Sequence, residues 1–142
     1  MINFYCLTTS DFEDQSAFDI LKKRLNDKRY PLYKKTPFLD KIKKNDNVLF
    51  YVAGKNHKAQ NFIGTAIIED IKISEQVLTD AEKNKAIAKL LALNNIKVFE
   101  ISVPIRPIIS QLEFIINKYN FGLSLIGGVS KITENDFNLI IN

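Results

Sequence analysis

The sequence contains one cysteine (Cys6), one histidine (His57) and no tryptophan. A single thiol cannot close an internal disulfide, and with one imidazole it falls short of the three or four soft ligands of a zinc site, so zinc enzymes and redox dithiols are excluded. Long apolar runs are also lacking. No stretch approaches eighteen consecutive apolar residues, and Met1-Ile2-Asn3-Phe4-Tyr5 carries neither a basic leader nor an apolar signal segment. The expectation is a cytoplasmic protein, neither secreted through a signal peptide nor membrane-spanning. Internal repeats, linkers and low-complexity tracts are absent too, so residues 1–142 are expected to form a single domain.

What the chain does have is the composition of an ordinary globule, with 46% hydrophobic and 25% charged residues over 142 positions. A chain of this length buries roughly two-thirds of its unfolded surface, enough to fold without a disulfide or structural metal. The net charge of +4 is modest but unevenly placed. Residues 22–58 hold twelve Lys/Arg against three acids (Asp27, Asp40, Asp46). Interleaved with Tyr30, Tyr33 and Phe38, this block has what phosphate contacts and base stacking require; a solvated lysine-rich face gives the same count.

Period and punctuation predict the elements. Asn3–Leu7 alternates as a strand and exits into the polar run Thr8-Thr9-Ser10-Asp11. Ser16 as N-cap, with Phe18, Leu21 and Leu25 at helical spacing, predicts a short amphipathic helix. Residues 26–40, with Pro31 and Pro37, read as an irregular loop. Val48–Ala53 is apolar on both faces and predicts a central strand, which pairs as an antiparallel hairpin with Phe62–Ile68. Gly64 marks a bulge or a close backbone approach. Thr79 with Glu82 forms a capping box, predicting a helix to about Leu93. Ile96–Val103 alternates as a strand and Pro104 ends it. Ile108, Leu112, Ile115 and Tyr119 share one stripe of a helix after Pro107, and Thr133 with Asp136 caps a last helix carrying Phe137, Ile140 and Ile141. Strands and helices mixed in this irregular order argue for an α+β domain built on a strongly bent sheet or small β-barrel with helices packed outside it.

No constellation asks for an enzyme. Cys6 would need a histidine base, whereas His57 sits in a polar connection between two strands. Asp11, Glu13 and Asp14 cluster near a helix start, where acids complement the dipole. Gly127-Gly128-Val129-Ser130-Lys131 lacks the ending of a phosphate-cradling loop, so these read as turn glycines. What remains are Tyr30, Tyr33 and Phe38 in the basic loop, which either pack that loop down or face a cleft as a stacking platform.

Order and spacing add a resemblance. Leu39-Asp40-Lys41-Ile42-Lys43-Lys44-Asn45-Asp46-Asn47-Val48-Leu49-Phe50-Tyr51 is similar to the "Lys-x-Gly-Asp-x-Val-x-Phe-Tyr" region of the EVE domain, a member of the PUA-like superfamily. Phe62-Ile63-Gly64-Thr65-Ala66 resembles its "Ile-Val-Gly-x-Ala" strand, and Ile132-Thr133-Glu134-Asn135-Asp136-Phe137 its "Ile-x-Glu-x-Asp-Phe" closing helix after the glycine turn Gly127-Gly128. The resemblance covers nearly the whole chain. Asn45 stands in place of the family's glycine, a mild departure because Asn tolerates the left-handed conformation.

The resemblance implies a PUA-like fold, a strongly bent mixed sheet or small barrel, and a non-enzymatic module that accepts a modified base of DNA or RNA in a pocket, without cofactor or metal. An extruded base would stack on an aromatic wall and be read along its polar edge. Carried over residue by residue, the base pocket falls on Thr9, Ser10, Tyr30, Tyr33, Ser124 and Gly127, with Lys34 and Lys35 as phosphate contacts. Two other classes stay open: a protein-interaction or stress/toxin-antitoxin accessory module, and a small RNA-acting hydrolase, which would need a carboxylate or His57 inside the same pocket.

Overall fold

The structure, a computed structural model, describes residues 1–80 and 85–142. Six strands form one mixed sheet: β1 (Phe4–Thr9), β2 (Arg29–Tyr33), β3 (Asn47–Val52), β4 (Asn61–Asp80), β5 (Lys85–Pro104) and β6 (Val129–Ile132), in the order β2-β5-β4-β3-β1-β6. The β1–β3 pair is parallel; every other neighbouring pair is antiparallel. Two helices, α1 (Ala17–Asn26) and α2 (Glu134–Ile141), complete the α+β architecture expected from the sequence.

Period-2 alternation divides the central strands between two cores. Tyr5, Leu7, Val48, Phe50 and Val52 face α1 in one cluster, while Cys6, Leu49 and Tyr51 join Phe62, Ile105, Leu112 and Phe137 in the other. This is why Val48–Val52 reads as apolar on both faces. Register shifts at Phe50/Tyr51, Phe62/Gly64, Thr65/Ile67 and Ile68/Asp70 bend the sheet strongly. At Gly64 a Cβ would lie 2.2 Å from the Lys97 carbonyl oxygen, so the bulge and the close approach coincide at a residue without a side chain.

Both helices start where their caps predict. The Ser16 hydroxyl accepts the Asp19 amide at 3.1 Å and the Thr133 hydroxyl accepts the Asp136 amide at 3.0 Å. The β3–β4 hairpin also forms as expected.

Four segments differ from the sequence reading. Of the helix expected over 79–93, residues 81–84 lie outside the described residues, and from Lys85 the chain is strand. Leu91 and Leu93 are buried in alternation there, and β2, through Tyr30 and Pro31, and β4 supply cross-strand partners on the two sides, so tertiary pairing outweighs the helical preference of alanine, leucine and lysine. The segment 29–33, expected as loop, is the sheet's edge strand, where Pro31 is tolerated because an edge leaves N–H positions unpaired. After Pro107 only a 3₁₀ turn, Arg106–Gln111, forms in place of the expected helix. The Asp136 carboxylate takes the amides of Glu113 and Phe114 at 2.8 Å each, which withdraws them from a helical ladder. Val129–Ile132, not expected as strand, pairs with β1.

Candidate functional site

Because β1 and β3 are parallel neighbours, their C-terminal ends open at the same edge of the sheet. There the chain leaves a cavity of about 540 Å³, within the range of ligand sites. Thr8 and Ser10 contribute from the end of β1; Tyr51, Ala53 and Gly54 from the end of β3; Arg106 from beyond β5; and residues 119–128 close the remaining side.

Backbone contacts fix these walls. Thr8 donates to the Gly128 carbonyl at 2.8 Å and Ala53 to the Thr9 carbonyl at 2.9 Å. The Asp11 carboxylate accepts the amides of Ala17 at 2.7 Å and Lys55 at 3.2 Å, tying the two strand exits together. Gly54 sits so tightly against it that a Cβ would come within 2.2 Å of an Asp11 oxygen. At Gly127, whose φ is +95°, a Cβ would meet the Pro37 ring at 2.6 Å. The basic turn after β2 is thereby pressed against the cavity rim.

Tyr51, Tyr119, Phe121 and the cation Arg106 are among the residues that line the cavity. Tyr51 is buried, its ring 5.1 Å from that of Phe62. Burial raises its hydroxyl pKa, reinforced by Cys6 and opposed by Arg106, so the phenol is neutral near pH 7. Arg106 Nε donates to Gln60 Oε1 at 2.7 Å, and its guanidinium carbon lies 5.3 Å from the Phe121 ring centroid. Clamped through one edge, the side chain keeps its Nη donors without hydrogen bonds among the described residues. Arg106 is the one charged side chain among the described residues lining the cavity.

The residues expected at the site separate in space. Ser10 and Gly127 line the cavity. Thr9 and Tyr30 lie behind it: both are buried, the Tyr30 hydroxyl is 2.9 Å from Thr9 Oγ1 and donates to the Thr8 carbonyl at 3.2 Å, and the ring packs 5.9 Å from Phe50. Arg24, also buried, lies 4.7 Å over the Tyr30 ring and donates to the Tyr33 hydroxyl at 3.0 Å. Tyr30 and Tyr33 border a separate space of about 40 Å³, room for about one water and not for a base. The tyrosine pair thus packs the edge strand down. Ser124 lines a neighbouring groove, where its hydroxyl accepts the Ile116 amide at 3.2 Å. Lys34 and Lys35 are exposed in the turn after β2.

The remaining chemical candidates lie elsewhere. His57 packs edge-on to Phe18 at 5.2 Å, with Lys58 Nζ 4.7 Å over the same ring. Burial pushes the Cys6 thiol up to about 12, which keeps it protonated and inert. No group of three or more His, Cys, Asp or Glu among the described residues is arranged to hold a metal ion. No helix of the described residues is long and apolar enough to cross a membrane.

Sequence reasoning missed Tyr51, Gln60, Arg106, Tyr119 and Phe121. One signal pointed to Arg106: between Val103 and Ile109 it is the only charged residue, and it is bracketed by Pro104 and Pro107, where a strand ends. Tyr51 gave none, because a ring at a strand's end reads the same as one at its middle.

A family profile, the EVE domain, matches residues 11–142. The chain belongs to the EVE domain family. Among curated proteins none matches the sequence. Solved structures share the fold of this EVE domain at low identity. Human THYN1, in complex with 5-methylcytosine containing DNA, superposes with a TM-score of 0.59 at 11% identity over 98% of this chain and 95% of that one. A hypothetical protein from Leishmania major gives 0.61 at 14% identity over 99% and 93%. The N-terminal domain of Staphylothermus marinus McrB gives 0.55 at 7% identity over 99% and 94%. The curled six-stranded sheet with its few helices is the PUA-like α+β fold.

Proposed function

We propose that this EVE domain is a non-enzymatic nucleic-acid-binding module that reads a modified base of DNA or RNA in the cavity at the ends of β1 and β3. The observation that carries the reading is a single clamped cation, Arg106, lining a hollow of about 540 Å³ to which Tyr51, Tyr119 and Phe121 also contribute, room enough for a base with its sugar and phosphate. A base drawn from its stack loses a few kcal/mol of stacking, recovered against Phe121 and Tyr119, with the buried Tyr51 backing the wall. The Arg106 Nη donors and the Ser10 hydroxyl then meet acceptors on its edge or its phosphate. Gly127 lets the wall of the cavity close against Pro37, where a side chain would collide. Thr9 and Tyr30 act from behind, by holding the end of β1. Lys34 and Lys35, three and two residues before Pro37, supply phosphate contacts from the rim. THYN1, with the same fold and bound to methylated DNA, supports this reading.

The test is anisotropy titration of single-stranded and duplex oligonucleotides carrying 5-methylcytosine, 5-hydroxymethylcytosine or N6-methyladenine, with unmodified controls. One modification should bind tighter than its control, with affinity falling steeply as salt rises. Arg106→Gln should weaken that binding about tenfold or more, since it removes charge-assisted hydrogen bonds. Equal affinity for all probes removes the reader; affinity indifferent to salt removes the nucleic acid.

A further inference from the structure

Beside the cavity lies a second depression, a groove of about 500 Å³ walled by Phe38, Phe114, Ile116, Leu123 and Ile126. Ile126 lines both spaces. It stands as a ridge between them, 68% exposed, with Leu123 at 52% and Ile116 at 82% on the groove side. Single exposed aliphatics are unremarkable, but these share one concave surface that adjoins the proposed base site.

The ridge is held rigidly. Gly127 and Gly128, immediately after it, have φ of +95° and +89°, and Pro37 packs on the first of them. Thr8 binds the Gly128 carbonyl at 2.8 Å, and the Ser130 hydroxyl binds the Ser124 carbonyl at 2.7 Å. The charged side chains lining the two spaces are Arg106 and Lys131, both cations. An apolar floor with a cationic border suits the face of a base on a phosphate chain, and the shared wall places that base next to the one in the cavity.

The geometry points to a two-nucleotide site: the groove takes the base adjacent to the extruded one, and Ile126 inserts between the two as a wedge that keeps them unstacked. This rests on the reading of the cavity as a base pocket. The site therefore recognises a dinucleotide step, and the groove, having apolar walls, accepts any base that can stack, with purines favoured by their larger face.

The experiment uses the best-binding modified oligonucleotide of the titration above, beside two versions in which the nucleotide on one or the other side of the modified base is abasic. For the intact protein, one abasic flank should weaken binding about five- to a hundredfold and the other should not. Leu123→Ser and Ile126→Ala, both at exposed positions, should weaken the intact probe and should add no further loss on the sensitive abasic probe. If both abasic probes and both variants bind as the originals do while Arg106→Gln still weakens binding, the groove is not a base site and the cavity reading stands. If the intact protein distinguishes no modified probe, the cavity reading fails and the wedge with it. If the variants weaken intact and abasic probes equally, the groove acts without a flanking base and the two-nucleotide site is refuted.

Discussion

Tyr30→Phe separates a tyrosine that stacks a ligand from one that holds the fold. The substitution keeps the ring and deletes one oxygen, which stands 2.9 Å from Thr9 Oγ1 and 3.2 Å from the Thr8 carbonyl. Thr9 is fully buried, so its hydroxyl has no water to turn to. Losing a net hydrogen bond and leaving a buried hydroxyl unsatisfied costs about 1–3 kcal/mol. For a chain of this size that lowers Tm by about 3–10 °C, with the urea m-value unchanged. Tyr119→Phe, on a fully exposed side chain, should stay within about 0.5 kcal/mol and serves as control. Well below its melting temperature, Tyr30→Phe should bind the preferred oligonucleotide as the parent does, because the ring does not line the cavity. An unchanged Tm would refute the buried hydrogen bond. Lost binding in a fully folded variant would place Tyr30 on the ligand.

Alkaline pH should destabilise the fold. Burial raises the acid groups of Cys6, Tyr30 and Tyr51 above their ordinary values, so the folded state favours their protonated forms. That stability is present in full below the unfolded values near 9 and 10 and is lost as pH rises toward the folded ones; for Cys6, raised from 9.0 to about 12, the loss across the window amounts to as much as about 4 kcal/mol. Urea midpoints measured from pH 8 to pH 11 should fall, less steeply in Cys6→Ala; a flat profile contradicts the burial argument. Asp136→Ala should cost about 3–5 kcal/mol, because it strands the amides of Glu113 and Phe114, each bonded at 2.8 Å, and with them the segment leading to Tyr119. Urea unfolding measures the cost, and a loss under about 1 kcal/mol would show that water replaces the carboxylate.

Elements with their own local signals were legible. Ser16 and Thr133 announce their helices because a cap hydroxyl and the amide three residues on are close in sequence, and Val48–Val52 announces a central strand because both its faces are apolar. The segment at 85–93 was misread for the converse reason. Alanine, leucine and lysine favour helix locally, and what makes them strand is a row of partners from β2, more than fifty residues away, and from β4. Pro31 hid β2 in the same way, since only the finished sheet order reveals that Arg29–Tyr33 lies at an edge. The expected helix after Pro107 failed because of Asp136, a residue whose cap role the sequence displayed but whose second task, taking two amides across 22 and 23 positions, it could not.

The same asymmetry governs the site. Its walls come from segments far apart in sequence, and several are fixed from behind: the β1 exit by Tyr30 and Asp11, Gly54 by Asp11, the 127–128 turn by Pro37 and the Thr8 amide, and the segment leading to Tyr119 by Asp136. Among the tyrosines, Tyr30 drew attention because it stands in a basic, proline-bearing stretch, and Tyr51 did not because it lies within an apolar run. Lining residues become conspicuous only once the parallel β1–β3 pair brings two strand ends together and the turn at 127–128 closes over them. A hollow whose walls are held by hydrogen bonds outside it is set before any ligand arrives, so the cost of ordering falls on folding rather than on binding. Substitutions behind the wall should therefore register first as lost stability, and those at Arg106 and Ile126 as lost affinity in a protein that melts where the parent does.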